Sequence, residues 1–259
     1  LNSLLPPHEW SEEKKHLLEA RMGRAKDSIV NHKTIDLFDV IVTNPPFGSK
    51  IPINDQQILE QFDLAHTWTK DQHGKWKMNP TKLRVSVPPE QIFIERIIQL
   101  LKPGGRAAIV LPDSIFSSPG LEFIRVWLMQ KTHIIASIDL HADTFQPHNG
   151  TQCSILFVVK KTEAELQEEL KLGFIPNEEI FMVMVDHIGH DKRGNTVYKR
   201  DEEGNLVLRH EENEVREINA ETGEVTYRKE NFEEKIVNDQ TIMVAEVFLK
   251  WKRQQGIVW

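Results

Sequence analysis

The 259-residue sequence has a single cysteine, Cys153, which excludes an internal disulfide and a cysteine-based zinc site. Cys153 lies in the apolar run CSILFVV, and this setting favours a buried structural thiol over a reactive one. Long hydrophobic runs are also lacking, since no stretch approaches the roughly eighteen apolar residues that a membrane helix requires. The amino-terminal LNSLLPPHEW has neither a basic segment nor a cleavage site, so a cytoplasmic protein is expected.

An excess of positive charge is lacking too, because the formal net charge is −7. Residues 1–160 carry 18 Lys and Arg against 17 Asp and Glu, whereas residues 161–259 carry 14 against 22. This balance argues against a uniformly basic nucleic-acid-binding surface. The acidic second half would repel phosphates, so stable duplex binding would need a basic partner or an additional segment.

The stretch FDVIVTNPPFGSK joins an apolar run to two consecutive prolines. Its β-branched and aromatic residues 38–42 predict a central strand that is buried on both faces of an α/β sheet. Pro45 and Pro46 remove two backbone donors and fix two φ angles, so the chain should leave this strand as a stiff loop. Ligands of open α/β sheets bind beyond the carboxyl ends of the strands, which makes the loop a candidate site.

Asn44 and Phe47 give this loop a specific chemistry. The exocyclic amino group of a flipped base has two N–H donors, which the Asn44 side chain and the Pro45 backbone carbonyl could accept while Phe47 stacks on the ring. Accepting these bonds would favour a more nucleophilic nitrogen. The alternative is that Asn-Pro-Pro is only a turn that closes a strand, and the Asp-Val-Ile-Val before it and the Phe-Gly after it weigh against that.

The motif DVIVTNPPFG resembles the catalytic motif of amino-group DNA methyltransferases. The segments LKPGGRAAIVLPDSIFSS, IRVWLMQKTHIIASIDLHADTFQPHNGTQCSILFVVKK and IFMVMVDHIGHDKRGN extend this resemblance to the modification subunit of type I restriction-modification systems, over roughly residues 35–200. The resemblance implies a Rossmann-like sheet, S-adenosylmethionine as the cofactor, and methyl transfer to N6 of adenine in DNA. It implies specificity and restriction subunits as partners, catalytic roles for Asn44, Pro45 and Phe47, and a place for Pro46 near the cofactor.

A glycine-rich loop that would hold the methionine portion of the cofactor has no counterpart before Phe38. The one earlier glycine, Gly23, lies within a helical pattern. The resemblance therefore predicts an incomplete sheet that lacks its first strands. The expected function is site-specific DNA adenine-N6 methylation, with no activity in this chain alone. The alternatives are a non-catalytic interaction remnant and a methyltransferase that acts on RNA or on protein glutamine.

Three regions are predicted along the chain. Residues 1–34 form a leading helical segment, residues 35–187 form the second half of the catalytic domain, and residues 188–259 form an acidic α+β extension. The extension contains the polar hairpins VYKRDEEGNLVLRH and EINAETGEVTYRK, and a terminal amphipathic helix that either packs on the domain or contacts a partner. In the middle region, a partly helical lid at residues 54–90 precedes these helices and strands: QIFIERIIQLL, RAAIVLP, GLEFIRVWLMQ, IIASIDL, QCSILFVVKK, TEAELQEELKL and IFMVMV.

Two further segments contain candidate site residues. HADTFQPHNGT connects two predicted strands, and the resemblance places Phe145 in the wall of the target-base pocket; the alternative is an apolar anchor for the loop. DHIGHDKRGN clusters Asp186, His187, His190 and Asp191. Their spacing is not typical of a zinc site and the segment continues into a turn, so no metal is predicted.

Overall fold

The structure is a computed structural model that describes residues 4–5, 9–13, 16, 36–48, 52–172, 179–218, 223 and 225–257. Unit 1 comprises Leu1–Leu140 and Gln152–Val183, and unit 2 comprises His141–Thr151 and Met184–Trp259. The predicted leading helix falls almost entirely outside the described residues. The predicted region boundaries at residues 34 and 187 stay predictions.

The described helices and strands follow one another in this order: β1 (Phe38–Thr43), α1 (Gln56–Leu59), β2 (His66–Lys70), β3 (Trp76–Leu83), α2 (Pro89–Leu100), β4 (Leu101–Pro112), α3 (Ser114–Ser117), α4 (Glu122–Lys131), β5 (Thr132–Asp139), β6 (Cys153–Lys160), α5 (Glu163–Leu172), β7 (Phe181–Met184), β8 (Leu208–Ile218), β9 (Val225–Lys235) and α6 (Thr241–Gln254). Short 3-10 helices lie at Asp63–Ala65 and Pro119–Leu121. Within these residues, no helix has the length and apolar character to cross a bilayer.

A five-stranded mixed sheet has the strand order β1-β4-β6-β5-β7. β1 pairs with β4 in parallel, and β6 pairs antiparallel with both β4 and β5. The carboxyl ends of β1, β4 and β5 therefore meet at one edge of the sheet. This sheet and its flanking helices confirm the predicted α/β class.

The main core of unit 1 lies between this sheet and the helices α2 and α4. Pro89 begins α2, where proline is tolerated because the first N–H groups of a helix have no partner within the helix. The apolar residues of both helices then recur at helical spacing on the faces that meet the strands. The buried side chains shared by these elements are Ile94, Ile97, Ile98, Leu101, Ile109, Leu111, Phe123, Ile124, Trp127, Leu128, Leu156 and Val158.

β1 is an edge strand, and the prediction of a central strand that is buried on both faces was wrong. It pairs with β4 on one side, and no described strand pairs with its other side. Val40 and Val42 are 46% and 79% exposed. A β-branched run indicates side chains suited to a covered strand, but the neighbour that would cover it is a property of the whole sheet.

Residues 54–90 contain a β-hairpin, so the predicted partly helical lid was largely wrong. Only α1 and the 3-10 helix at Asp63–Ala65 are helical, and β2 and β3 then pair antiparallel. The turn between them has Gly74 at φ 74°, and Asp71 Oδ1 accepts hydrogen bonds from the backbone N–H groups of His73 and Lys75. Alternating apolar and polar residues in TWT and WKM favour this hairpin, because its inner face packs on the core.

Unit 2 contains a second hairpin, in which β8 and β9 pair over eleven residues each. This hairpin and α6 confirm the predicted polar hairpin and terminal helix. The other predicted hairpin is a shorter turn that is closed by the antiparallel bridge between Arg200 and Leu206. Val244 and Phe248 form the buried side of α6, and Phe248 stacks on Trp251 with ring centroids 6.0 Å apart.

Candidate functional site

The loop Asn44–Gly48 leaves the sheet at the carboxyl end of β1, as its sequence predicts. Pro45 is buried, Phe47 is half-buried, and Asn44 and Pro46 are exposed. The structure thus places the four predicted residues together in one short segment. No described residue forms a hydrogen bond with the Asn44 side chain, so its amide group is accessible to a ligand.

Glu90 in the first turn of α2 holds the far end of this loop. The backbone N–H of Gly48 donates to Glu90 Oε2 over 3.0 Å, and Glu90 is only 7% exposed. Gly48 has a φ of 123°, a backbone conformation that disfavours residues other than glycine. β1 and α2 therefore fix the two ends of the loop, while the buried ring of Pro45 anchors its middle. Glu90 could not be predicted from the sequence, because its contact with Gly48 joins residues far apart in the chain.

Asp113 directly follows β4 and Asp139 is the last residue of β5, so both lie at the same edge of the sheet. Ser154 Oγ donates to Asp113 Oδ1 over 2.8 Å, and Gln152 Nε2 donates to Asp139 Oδ1 over 3.1 Å. Burial, and secondarily the charge of Asp139, raises the pKa of Asp113, while the Ser154 bond opposes this change. These contacts connect the segment after β4 to the start of β6. Their sequence signal was a polar residue at the end of each apolar strand.

Cys153 is buried next to this group. Burial, and to a lesser extent the charge of Asp113, raises the pKa of the Cys153 thiol to about 11. A thiol with this pKa is overwhelmingly protonated near neutral pH and therefore a poor nucleophile. The prediction of a buried structural cysteine is confirmed.

Phe145 lies in the loop His141–Thr151, which belongs to unit 2. The loop is organised by its own turns, since Thr144 Oγ1 donates to the His141 carbonyl over 2.7 Å and the Asn149 N–H donates to the Phe145 carbonyl over 2.9 Å. Phe145 is half-buried. Because the loop and residues 44–47 belong to different units, a shared base pocket stays a prediction.

The acidic and histidine residues at 186–191 are engaged in turns. Asp191 Oδ1 accepts hydrogen bonds from the backbone N–H groups of Arg193 and Asn195, and the His190 ring lies 2.9 Å from the Asp191 carbonyl. Hydrogen bonds from Asn195 and Arg193 lower the pKa of Asp191. Among the residues that the structure describes, no group of three or more His, Cys, Asp and Glu side chains could hold a metal ion.

Comparisons with known proteins agree with the resemblance to the modification subunits of type I systems. The model of the N-6 DNA Methylase family matches residues 16–243. The methylase subunit of the type I restriction enzyme EcoEI from Escherichia coli is 29% identical over 123 residues, which are 47% of this chain and 21% of that subunit. The methylase subunit of EcoKI from E. coli strain K12 is 30% identical over 131 residues, which are 50% of this chain and 20% of that subunit.

The crystal structure of the EcoKI M protein aligns with 60% of this chain and 27% of that protein, at 24% identity and a TM-score of 0.35. The chain spans about a fifth of the length of these two curated relatives. The family match is far more extensive, since it covers most of the chain and includes β1, the Asn44–Gly48 loop and every strand of the five-stranded sheet. The chain belongs to the N-6 DNA Methylase family.

Proposed function

We propose that this chain forms the methyl-acceptor side of a DNA adenine-N6 methyltransferase, the modification subunit of a type I restriction-modification system. Its partners in this proposal are DNA and the specificity and restriction subunits. One observation carries the proposal: the Asn44 amide is exposed at the carboxyl end of β1, in a loop whose ends are fixed by β1 and Glu90. The family membership and the names of the type I relatives support it.

Asn44 and Pro45 act on the target amino group. In the proposed complex, Asn44 Oδ1 and the Pro45 carbonyl each accept one N–H of adenine N6, at about the 2.9 Å typical of such bonds. These bonds fix both N–H groups of the amino nitrogen. They thereby orient its lone pair for attack on the methyl group. A preorganised loop makes this effective, because its acceptors do not have to reorganise during the reaction.

Phe47 stacks on the flipped base and keeps its amino group in register with Asn44. Stacking of a base on an aromatic ring is worth about 1–3 kcal/mol. Phe47→Ala should therefore weaken binding of a duplex with a mismatched target base more than Phe47→Tyr does. Equal affinities of the two variants, measured with a fluorescent base analogue at the target position, would assign the ring a packing role only.

S-adenosylmethionine, the cofactor expected for this family, supplies the methyl group when it is bound. The residues present fit only part of its site. Pro46 is exposed and could line it, but the N–H of Gly48 is occupied by Glu90, and the sequence has no glycine-rich loop before Phe38. We therefore expect this chain alone to bind the cofactor weakly and to be inactive. Calorimetric titration tests this, and micromolar affinity for the isolated chain would contradict it.

Substitution of Asn44 is the decisive test of the proposed chemistry. In the complete enzyme, with the glycine-rich cofactor loop restored and the specificity subunit bound, Asn44→Ala should abolish methyl transfer to DNA and leave DNA affinity nearly unchanged. Asn231→Ala, at an exposed position of β9, is the matched control and should retain activity. Methylation at the wild-type rate by Asn44→Ala would exclude Asn44 from the reaction. An inactive wild-type complex would instead favour the non-catalytic remnant.

A further inference from the structure

The β2–β3 hairpin, residues 66–83, is a positively charged segment in an acidic chain. It carries four lysines, Lys70, Lys75, Lys77 and Lys82, and one acidic residue, Asp71, whereas the chain as a whole has a net charge of −7. All four lysines are exposed. The catalytic proposal uses none of them.

Contacts at the base of this hairpin place it beside the Asn44 loop. Arg84, directly after β3, donates from Nη1 to Gln91 Oε1 over 2.8 Å. Gln91 follows Glu90, the residue that binds the Gly48 N–H. The base of the hairpin is thus connected to the loop through the first turn of α2.

Aromatic packing fixes the inner face of the hairpin at the same edge of the sheet. Trp68 and Trp76 lie against Phe123, with ring centroids 5.8 Å and 6.0 Å apart. Lys70 Nζ also donates to Glu122 over 2.8 Å. Glu122 and Phe123 begin α4, shortly after the carboxyl end of β4, so both ends of the hairpin are tied to the edge where β1 ends.

The outer face of the hairpin presents hydrogen-bond donors to solvent. Thr69 pairs with Lys77, and Thr67 pairs with Asn79. Because side chains alternate between the two faces of a strand, these residues lie on the face opposite to that of the tryptophans. Asn79 Oδ1 accepts bonds from the Thr81 backbone N–H and hydroxyl, and its own amide N–H groups have no partner among the described residues. The side chain of Lys77 is 70% exposed and forms an ion pair over 3.2 Å with Asp71, whose side chain is 18% exposed.

We propose that the outer face of the β2–β3 hairpin contacts the phosphate backbone of duplex DNA next to the target base. This inference rests on the proposed function, because it takes DNA as the substrate of the Asn44 site. Lys, Thr and Asn side chains are typical partners of phosphate oxygens, and such contacts set the register of a protein on the duplex. A two-stranded β-ribbon is also narrow enough to approach the major groove.

The charge distribution supports DNA as the occupant. The hairpin carries four lysines against one acidic residue in a chain of net charge −7, and this local positive charge favours the approach of a polyanion. Asp71 also accepts hydrogen bonds from the backbone N–H groups of His73 and Lys75, so it keeps these partners when the exposed Lys77 exchanges it for a phosphate. Because the tryptophans fix the hairpin, the donors are already arranged before DNA binds.

A salt titration of DNA affinity tests the proposal on this chain. The probe is a fluorescein-labelled mixed-sequence duplex, and anisotropy gives the affinity between about 50 and 200 mM salt, the range over which phosphate contacts are strongly attenuated. The slope of log affinity against log salt is negative, and each lost phosphate contact should lower its magnitude by about 0.9. The double variant Lys75→Gln/Lys77→Gln should therefore lower the magnitude of the slope by roughly 1.8 and weaken binding.

Two further variants make the result specific. Lys192→Gln/Lys199→Gln removes the same charge from exposed positions of unit 2 and should change the slope much less. Lys75→Arg/Lys77→Arg retains the charge and should retain the slope. An equal loss of slope in the Gln variants of both units would overturn the proposal. So would the absence of measurable binding by the wild-type chain at the lowest salt.

The outcome can be separated from that of the catalytic proposal. Asn44→Ala is tested by methylation in the assembled complex, and the hairpin is tested by affinity without turnover. Loss of slope in the lysine variants together with full methylation by Asn44→Ala would support the hairpin contact and refute the catalytic assignment. An unchanged slope in the lysine variants together with loss of methylation by Asn44→Ala would refute the hairpin contact and support the catalytic assignment.

Discussion

The two β-hairpins of this chain differ in what holds them in place. The β2–β3 hairpin packs one face on the core of unit 1 through Trp68 and Trp76. The β8–β9 hairpin exposes both faces, and its largest aromatic residues, Tyr227 and Phe232, are 66% and 44% exposed. The strands β8 and β9 carry five Lys and Arg against seven Glu, the opposite balance to the lysine-rich first hairpin.

Cross-strand contacts dominate the second hairpin. Besides its backbone hydrogen bonds, it has exposed ion pairs such as Arg228–Glu217 at 2.8 Å and Lys229–Glu212 at 3.2 Å. Exposed pairs of this kind contribute little to stability. A hairpin that must present donors at a fixed distance from a reacting base requires the packed arrangement, because its orientation is then set by the core. The packing of the β2–β3 hairpin on the core therefore suits its proposed role in DNA contact.

Removal of an aromatic anchor should produce the largest difference between the hairpins. Trp68→Ala deletes a half-buried indole that stacks on Phe123 and donates from Nε1 to the Asp63 carbonyl over 3.0 Å. We expect it to lower the free energy of unfolding by about 2–4 kcal/mol, slightly less than for a fully buried tryptophan. Tyr227→Ala should change it by less than about 0.5 kcal/mol, as is usual at exposed positions. Urea unfolding measures both, and equal effects would contradict the distinction.

A buried carboxyl group in unit 1 and an exposed one in unit 2 differ in the direction in which their pKa values shift. Glu95 in α2 accepts hydrogen bonds from the backbone N–H groups of Asp63 and Leu64, at 2.9 Å and 2.8 Å, in the segment that leads into β2. Asp201 in unit 2 likewise accepts from the backbone N–H of Asn205. Their pKa values move in opposite directions: the Asn205 bond lowers the pKa of Asp201, whereas burial and the charge of Asp63 raise the pKa of Glu95 to about 8.

Glu95 should make the stability of unit 1 depend on pH. With its pKa raised from 4.5 to about 8, the folded protein retains a proton that the unfolded chain releases above its own pKa. The contribution is therefore fully present below pH 4.5 and is lost as the pH rises to about 8. Since each pKa unit corresponds to about 1.4 kcal/mol, a loss of a few kcal/mol is expected.

Glu95→Gln isolates this effect, because glutamine cannot ionise. Its free energy of unfolding should fall less between pH 5 and about pH 8 than that of the wild type. Glu246→Gln, at an exposed position of α6, is the control and should preserve the wild-type profile. Parallel profiles of wild type and Glu95→Gln, measured by urea unfolding, would show that Glu95 is ionised in the folded protein.

Local sequence patterns were sufficient for the Asn44 loop and for most helices and strands. Asn-Pro-Pro-Phe after an apolar run specifies a stiff loop at the end of a strand, because the two prolines restrict the backbone directly. The position of β1 in the sheet could not be predicted in this way, since it depends on which strand lies beside it. The β2–β3 hairpin is intermediate: its alternating pattern is short and polar, and only contact with Phe123 shows that its tryptophans form an inner face.

Long-range contacts explain the rest of what was missed. Glu90 and Gly48 are 42 residues apart, and Asp113 and Ser154 are 41 apart. Neither separation produces a periodic signal. Such contacts exist only once the strands have paired, although polar residues at the start of an apolar helix or at the end of a strand were available clues.

The smallest predicted difference concerns one ion pair in each hairpin. Lys70–Glu122 joins β2 to α4 at 2.8 Å, and Lys70 Nζ also lies 5.1 Å from the centroid of Trp76. Lys229–Glu212, at 3.2 Å, connects two strands of the same exposed hairpin. Both pairs are exposed, with side-chain exposures of 46% and 42% in the first and 64% and 54% in the second. Both are therefore expected to lie in the weak range for surface pairs.

Double-mutant cycles with Lys→Met and Glu→Gln at both pairs should separate the two environments. We expect a coupling energy of about 0.5–1 kcal/mol for Lys70–Glu122, because the packed hairpin restricts the lysine, and about 0.3 kcal/mol or less for Lys229–Glu212. High salt should reduce both, since the Debye length falls to about 3 Å at 1 M. A larger coupling in the second hairpin would mean that its own ion pairs, and not core packing, are the stronger restraint. That outcome would contradict the role assigned to Trp68 and Trp76 in orienting the β2–β3 hairpin.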